Sequence, residues 1–241
     1  PPDSAIISVT RAIVSGKYNG YGPSHGYLKA RQAIAEKYTL YNKEADITRT
    51  LTEEDICITS GCSGALRIAM SVLAGHGDNV LIPKPGFGLY KTINGNNNVQ
   101  SREYNLLPDE DWQIDLKHME SLIDENTKFI LINNPSNPCG AVYSRIHLNN
   151  IIKIAEKYQL PIISDEIYGN MVFPGETFIS LPSLTNEVPI LVTSGIAKQY
   201  CCPGWRLGWI MIYDCHFRFG LNIRNAIRRL SQVIVGSNTL I

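Results

Sequence analysis

The sequence lacks several features that mark whole classes of protein. Lys and Arg number 22, and Asp and Glu also number 22, so the chain of 241 residues has a formal net charge of zero. Without a broad basic face, we expect no nucleic-acid partner. The longest apolar runs, such as Ile130–Ile132, are a few residues long, whereas a membrane-spanning helix needs about 20 residues. We therefore also expect no membrane partner.

Cysteines are few and are not arranged as a framework. There are six, with no C-x-x-C pair, and two of them, Cys201 and Cys202, are adjacent. This pattern fits neither a disulfide scaffold nor a zinc ribbon. The start Pro1-Pro2-Asp3 also lacks the charged and then apolar pattern of an intact secretory signal. We predict a reducing, cytoplasmic location, with the mitochondrion as the alternative.

Short apolar runs alternate with amphipathic helical patterns along most of the chain. The spacing predicts helices at Ile6–Val14, Leu28–Tyr38, Gly61–Leu73, Leu116–Ile123, His147–Tyr158 and Asn222–Val235. It predicts strands at Ile56–Thr59, Asn79–Ile82, Lys128–Asn133, Pro161–Ser164, Ile190–Thr193 and Gly208–Tyr213. The Asn-rich run Asn94–Asn98 is predicted to be a surface loop. This alternation indicates an α/β fold, a mostly parallel open sheet covered by helices on both faces.

Ligands of open α/β sheets bind beyond the carboxyl ends of the strands. Five predicted strands are each followed there by a distinctive loop. These loops are Ser60–Gly64, Pro83–Phe87, Asn134–Gly140, Asp165–Tyr168 and Ser194–Lys198. We expect all five to meet at one edge of the sheet.

Each signal in these loops also has a structural explanation. The turn Ser60–Gly64 leads into a helix whose first amides, with the Ser63 hydroxyl, can bind an anion, but it can equally be an ordinary cap. Asp165 ends an apolar strand and Lys198 follows another, which suits a cation-binding carboxylate and a desolvated amine. Singly, such residues are more often a cap and a solvated side chain.

Gly20–Gly26 has one residue too many for a dinucleotide fingerprint and follows no strand, so we predict no NAD site.

Together, the loop residues match the needs of one cofactor. Pyridoxal phosphate requires a lysine for an imine, an acid at the pyridine nitrogen, donors to the phenolic oxygen, a phosphate cradle and a flat residue against the ring. The chain offers Lys198, Asp165, Asn137 with Tyr168, the Gly61 turn and Phe87, in that order. A chance assembly of all five parts is much less probable than any one of them.

Four segments resemble those of the fold-type I, class I aminotransferases, and the resemblance extends from about Asp3 to the end of the chain. They are Asn134–Gly140, Ser164–Tyr168, Ala197–Lys198 and Pro203–Trp209. Further segments are similar to the branch of that family that acts on tyrosine. They are Tyr18–Tyr21, Ile58–Ser63, Leu81–Phe87 and Tyr104–Pro108.

The resemblance implies a role for each candidate around the cofactor ring. Lys198 would form the imine, Asp165 would pair with the pyridinium nitrogen, and Phe87 would stack on the ring. Asn137 and Tyr168 would hold the phenolic oxygen. Lys198, Asp165 and Tyr168 are therefore the predicted catalytic residues.

The same resemblance implies a phosphate site and a homodimer. Arg206, the amides of Gly61 and Cys62, and the hydroxyl of Ser63 would bind the cofactor phosphate. A tyrosine matching Tyr21 reaches the phosphate of the neighbouring subunit in the family, which implies a homodimer.

The implied reaction transfers the amino group of an aromatic amino acid, tyrosine, to 2-oxoglutarate, so amino acids and 2-oxo acids are the expected substrates.

Family members are much longer than this chain, and the resemblance stops at Ser237–Ile241. Residues 1–241 would then be the large pyridoxal-phosphate-binding domain, without the following small domain and its carboxylate-binding arginine. Two alternatives stay open, a carbon–sulfur lyase of the same fold and a catalytically inactive truncated remnant.

Overall fold

The computed structural model describes residues 1–42 and 47–233. Within these residues the α-helices are α1 Asp3–Ser15, α2 Leu28–Tyr38, α3 Gly61–Leu73, α4 Leu89–Asn96, α5 Leu116–Ser121, α6 Arg145–Lys157 and α7 Gly220–Ser231. The strands are β1 Leu40–Asn42, β2 Ile47–Arg49, β3 Ile56–Ser60, β4 Asn79–Lys84, β5 Gln100–Leu107, β6 Gln113–Ile114, β7 Thr127–Asn133, β8 Ile162–Asp165, β9 Ile190–Gly195 and β10 Leu207–Tyr213. None of these helices has the length and apolar character needed to cross a membrane.

The main sheet has eight strands in the order β3-β10-β9-β8-β7-β4-β5-β6. Neighbouring pairs from β9 to β5 run parallel, whereas β10 runs antiparallel to both β3 and β9, and β6 runs antiparallel to β5. The prediction of a mostly parallel α/β sheet is confirmed. Because β10 is reversed, its first residue lies at the edge where β3, β4, β7, β8 and β9 end.

Both faces of the central strands β4, β7, β8 and β9 are buried, which explains why these strands are mostly apolar. In β7, Ile130 and Ile132 pack into a core with α6, whereas Phe129 and Leu131 pack on the other side with α3 and α4. Side chains of a strand alternate between the two faces of a sheet, so an uninterrupted apolar run supplies both cores. All four side chains are fully buried.

The Asn-rich run is the clearest error of the sequence prediction. Asn94–Asn98 was expected to be a surface loop, but α4 continues to Asn96, and Asn94 is only 2% exposed. The Asn94 side chain donates a 2.8 Å hydrogen bond to Ser101 Oγ, which satisfies the buried amide. Sequence periodicity also missed β5 and β6. The predicted end of the last helix at Val235 lies outside the described residues.

Backbone contact between two glycines brings β10 against the start of α3. A Cβ atom on Gly208 would lie 2.3 Å from the carbonyl carbon of Gly61 and 2.5 Å from the amide nitrogen of Cys62. Real Cβ atoms do not approach other atoms so closely, so this crossing requires glycine at position 208. The residues just before β10 are thereby placed beside the first turn of α3.

Candidate active site

The loops at this edge of the sheet enclose a cavity of about 160 Å³. It is lined by side chains from the loops that follow β3, β4, β7, β8 and β9, and from the segment before β10. The lining residues are Cys62, Ser63, Leu66, Phe87, Tyr90, Asn133, Asn137, Asp165, Ile167, Tyr168, Ala197, Lys198, Pro203 and Arg206. The expectation that the five loops meet at one edge is confirmed.

Asp165 is a buried carboxylate at the end of β8, with 3% of its surface exposed. Oδ2 accepts a 2.8 Å hydrogen bond from the Tyr90 hydroxyl, and Oδ1 accepts from the Cys62 thiol at 3.5 Å and the Ile167 amide at 3.3 Å. Burial raises the pKa of Asp165, and these three donors oppose that rise. No cationic side chain of the described residues pairs with Asp165, so its carboxylate is available to pair with a bound cationic group.

Lys198 lies in the turn that follows β9, on the same cavity as Asp165. Its Nζ is 5.4 Å from the centre of the Tyr168 ring. Backbone bonds close this turn, with the Tyr200 amide donating to Ile196 O at 3.1 Å and the Cys201 amide donating to Lys198 O at 3.1 Å. No described carboxylate pairs with Lys198, which leaves its amine available to a ligand in the cavity.

Arg206 lies over Gly61 and lines the same cavity. Its guanidinium donates to two backbone carbonyls, Pro203 O at 3.0 Å and Ser60 O at 3.3 Å, and pairs with no carboxylate of the described residues. A Cβ atom on Gly61 would lie 2.5 Å from Arg206 Nη2, and Gly61 also has a φ of +70°. Only glycine therefore leaves room for the guanidinium at this place.

The first turn of α3 lies beside Arg206 and could bind an anion together with it. Ser60 precedes the helix, but its side chain does not cap the amides of the first turn. Uncapped amides at a helix N-terminus, with the helix dipole, attract anions. Cys62 and Ser63 in this turn line the cavity. The arrangement can bind a phosphate by a guanidinium and backbone amides together.

Three further predicted residues line the same cavity. The backbone of Asn137 is held in place by a hydrogen bond, in which its main-chain N–H donates to the side-chain oxygen Oδ1 of Asn133 at 2.7 Å. Phe87 packs edge to face on Tyr90, with ring centres 5.7 Å apart. Tyr168 follows β8 and faces the Lys198 amine. The cavity thus holds an acid, an amine, an anion site and aromatic rings.

The sequence matches the profile of the family "Aminotransferase class I and II" over residues 1–240. The chain belongs to the class I and II aminotransferases. It is 46% identical to the tyrosine aminotransferase of Bos taurus over 242 residues, covering 100% of this chain and 53% of that protein. An S-alkyl-thiohydroximate lyase of Arabidopsis thaliana is 39% identical, over 88% of this chain and 44% of the lyase.

Solved aminotransferase structures share the fold. The crystal structure of tyrosine aminotransferase from Leishmania infantum superposes with a TM-score of 0.92 at 36% identity, covering 99% of this chain and 64% of that one. The chain spans about half the length of the curated relatives that it matches.

Membership of this aminotransferase family implies pyridoxal phosphate as the cofactor, and the donor set of the cavity fits it. Among the described residues, buried Asp165 has no cationic partner, which leaves its carboxylate available to a protonated ring nitrogen. Gly61 leaves open the space in which Arg206 lies beside the α3 amides, as a phosphate requires. Lys198 borders the same cavity. These features belong to different loops, and the fold brings them together.

Two polar residues of the cavity lining were missed by sequence reasoning. Tyr90 lies one helical turn after Phe87, on α4, and that helix was obscured by the Asn-rich run. Asn133 is the last residue of β7, one position before the loop that was singled out. Treating the final residue of each strand as part of the loop would have found Asn133.

Tyr21 lies away from this cavity. Its side chain is 96% exposed and is not among the lining residues. Its role at the phosphate of a neighbouring subunit stays a prediction. Gly61 is also not among the lining residues, and the Arg206 guanidinium occupies the place where a side chain at position 61 would lie. The role of its amide at the phosphate stays a prediction.

Proposed function

We propose that the full-length protein transfers the amino group of an aromatic amino acid, tyrosine, to 2-oxoglutarate with pyridoxal phosphate. One observation carries this proposal. Asp165, buried and without a cationic partner among the described residues, shares a cavity with the unpaired amine of Lys198. In this proposal residues 1–241 are the large cofactor-binding domain. The relatives named tyrosine aminotransferase support the choice of tyrosine.

The chain's own residues would divide the work as follows. The Asp165 carboxylate holds a proton on the cofactor's ring nitrogen, while Arg206 and the first turn of α3 bind its phosphate. Asn137 and Tyr168 donate to its phenolic oxygen, and Phe87 covers one face of the ring. When bound, the cofactor supplies an aldehyde for the substrate nitrogen and a ring that accepts the electrons released with the α-proton.

Lys198 would have two tasks. Its Nζ holds the cofactor in the resting protein, and in its neutral form takes the α-proton from the amino acid as a general base. Transfer to a second substrate after release of the first product predicts ping-pong kinetics. This role requires that Nζ be free of a competing carboxylate, as it is among the described residues.

The holding of the cofactor can be tested by chemical mapping. Borohydride reduction fixes the cofactor to its lysine, and a modified lysine resists trypsin. Modification at Lys198 would give one peptide of residues 158–206 in place of two. Lys84→Arg should leave this result unchanged, whereas Lys198→Arg should abolish it. A pyridoxyl group on Lys84 or Lys153 would overturn the assignment.

The reaction can be tested with tyrosine and 2-oxoglutarate, on this chain and on the complete gene product. The expected products are the aromatic 2-oxo acid and glutamate, and Lys198→Ala is the control. The likeness to a lyase makes a carbon–sulfur lyase the second candidate. Ammonia and pyruvate from a cystathionine-like substrate, without an amino acceptor, would favour that candidate. The absence of both activities from both proteins would contradict the proposal.

The proposed setting is a homodimer in the cytoplasm. Tyr21, exposed at 96% on its own chain, is available to the site of a second copy. None of the six cysteines, all of them among the described residues, forms a disulfide, which supports a reducing compartment. If Tyr21 serves a neighbouring site, Tyr21→Phe should weaken cofactor binding without changing the melting temperature of the apo-protein.

A further inference from the structure

Cys201 and Cys202 are adjacent in the segment that joins Lys198 to Arg206. We call residues 196–202 the lysine turn. Cys201 is exposed, whereas Cys202 is 5% exposed. Cys201 has a φ of +51°, in the left-handed region. The other described cysteines have no cysteine next to them in the sequence. The pair therefore forms a dithiol of one accessible and one buried sulfur.

Both thiols contact the lysine turn itself. Cys201 Sγ donates to Lys198 O at 3.8 Å, and Cys202 Sγ donates to Ile196 O at 3.5 Å. The amides of the same residues donate to Lys198 O at 3.1 Å and to Ala197 O at 3.2 Å. Both sulfurs thus lie against carbonyls of one short turn. Cys201 contacts the backbone of Lys198 itself, and Cys202 contacts the two residues before Lys198.

We propose that Cys201 and Cys202 are a modification site, at which a peroxide forms a disulfide between them that disturbs the lysine turn. The disulfide removes both thiol protons, so the contacts with the carbonyls of Lys198 and Ile196 are lost. The consequence for the cofactor rests on the proposed function of Lys198. The oxidation itself does not.

The chemistry balances with a peroxide as the oxidant. The Cys201 thiolate attacks one peroxide oxygen, so that an S–O bond forms, the O–O bond breaks and water leaves after protonation. The Cys202 sulfur then attacks the Cys201 sulfur, which forms the S–S bond and breaks the S–O bond. The departing hydroxide leaves as water with the proton of the Cys202 thiol. Two thiols and one hydrogen peroxide become one disulfide and two waters.

The modification is expected to be readily reversible. Adjacent residues have Cα atoms about 3.8 Å apart across a trans peptide, whereas disulfides usually need about 4.4–6.8 Å. A disulfide between neighbours is therefore strained, and strained or exposed disulfides are reduced more easily than structural ones. A thiol reductant should restore the lysine turn, as a regulatory modification requires.

Trypsin gives a direct test, because it cleaves after Lys198 and Arg206. The peptide of residues 199–206 contains both thiols and no other cysteine. After treatment of the folded protein with hydrogen peroxide, we expect this peptide to have lost two hydrogens and to resist alkylation. Dithiothreitol should reverse both changes. Cys215→Ser removes the other exposed thiol and should give the same result, whereas Cys201→Ser and Cys202→Ser should not form the disulfide.

The effect on the lysine turn is measured by titrating oxidised and reduced protein with pyridoxal phosphate. We expect oxidation to weaken binding about two- to ten-fold, the effect of losing one orienting hydrogen bond. Neither cysteine variant should show this change. Peptide 199–206 with both thiols free, or with Cys201 as a sulfinic acid, would overturn the modification site. A disulfide with unchanged affinity would overturn its link to Lys198. Failure of the reduced protein to bind the cofactor would instead contradict the proposed function.

Discussion

The Tyr90 hydroxyl donates a 2.8 Å hydrogen bond to Oδ2 of Asp165, 75 positions away in the sequence. Both residues are buried, and the burial that raises the pKa of Asp165 also raises that of Tyr90, so the tyrosine remains a neutral donor. This bond supports the ionised form of a carboxylate that pairs with no cationic side chain of the described residues. Tyr90 therefore lowers the pKa of Asp165, although it is not itself a predicted catalytic residue.

Replacing Tyr90 by phenylalanine tests this relationship. The hydrogen bond opposes the rise in the pKa of Asp165, so its loss should raise that pKa further. The acid limb of the pH profile of kcat should move to higher pH, and activity at mildly acid pH should fall about ten-fold or more, as for loss of a bond to a charged group. The control is Tyr104→Phe, since Tyr104 is equally buried but donates to Leu131 O. An equal shift in both variants would contradict this role for Tyr90.

Replacing Gly61 by alanine should damage the phosphate site. The added Cβ would lie 2.5 Å from Arg206 Nη2 and would also occupy a residue with a φ of +70°. We expect pyridoxal phosphate affinity to fall about ten- to one hundred-fold, the effect of losing a charge-assisted bond. Gly77→Ala is the matched control, because Gly77 has a φ of +89° but open space around its Cβ position. Equal cofactor affinity in Gly61→Ala and the wild type would show that Arg206 is not part of the phosphate site.

Replacing Asp165 by asparagine should separate activity from stability. With cofactor, the variant should keep the bound chromophore and lose at least about ten-fold in α-proton exchange, because the ring nitrogen loses its charged partner. Unchanged exchange would show that Asp165 does not tune the ring nitrogen.

Without cofactor, the same variant should be more stable than the wild type at neutral pH. Because burial raises the folded pKa of Asp165, the unfolded chain releases its proton first, and stability falls as pH rises above the ordinary pKa of aspartate. Asparagine carries no such penalty. The difference in the free energy of unfolding between the two proteins should vanish as pH falls below that ordinary value, and urea unfolding of apo-protein across pH measures it.

His147 should make folding sensitive to acid. It is buried, and its Nε2 accepts a 3.1 Å hydrogen bond from the Ile114 amide, while burial lowers the pKa of its imidazole. A lowered folded pKa means that the stability it contributes is present above pH about 6.5 and is lost as pH falls below the unfolded value. In His147→Gln, the slope of the free energy of unfolding against pH should be smaller than in the wild type by up to about 1.4 kcal/mol per pH unit.

Urea unfolding between neutral and mildly acid pH measures the slope for His147→Gln. His76→Gln, at an exposed histidine, is the control and should keep the wild-type slope. A wild-type slope in His147→Gln would show that the imidazole does not titrate with unfolding.

Helices with a clear stop were predicted well from sequence. The bounds of α2 and α3 agree with those predicted, because the apolar spacing is regular and the residues before and after α3 interrupt it. The direction of β10 could not be read from its apolar residues, since parallel and antiparallel strands in a two-sided core share the same composition.

The lining of the cavity was predicted where its residues lie at the ends of strands or in the loops that follow them, as for Asp165 and Lys198. Residues of the cavity were missed where a side chain contacts a partner that is distant in the sequence. Nothing near Tyr90 in the sequence indicates Asp165. Likewise Asn94 is polar and its burial depends on Ser101, a contact that composition cannot show. Long-range pairs of this kind need the tertiary structure.

The position of β10 also sets an order of assembly during synthesis. In the described part of the main sheet, β3 pairs with β10 alone, so β3 emerges from the ribosome long before its partner strand. Strands β4 to β9 can pair with one another in the meantime, and contacts between distant segments form late. The side of the cavity with Asp165 and Lys198 can therefore form on the nascent chain before Arg206 reaches Gly61. If Arg206 binds the cofactor phosphate as proposed, the phosphate site is complete only after β10 has been synthesised.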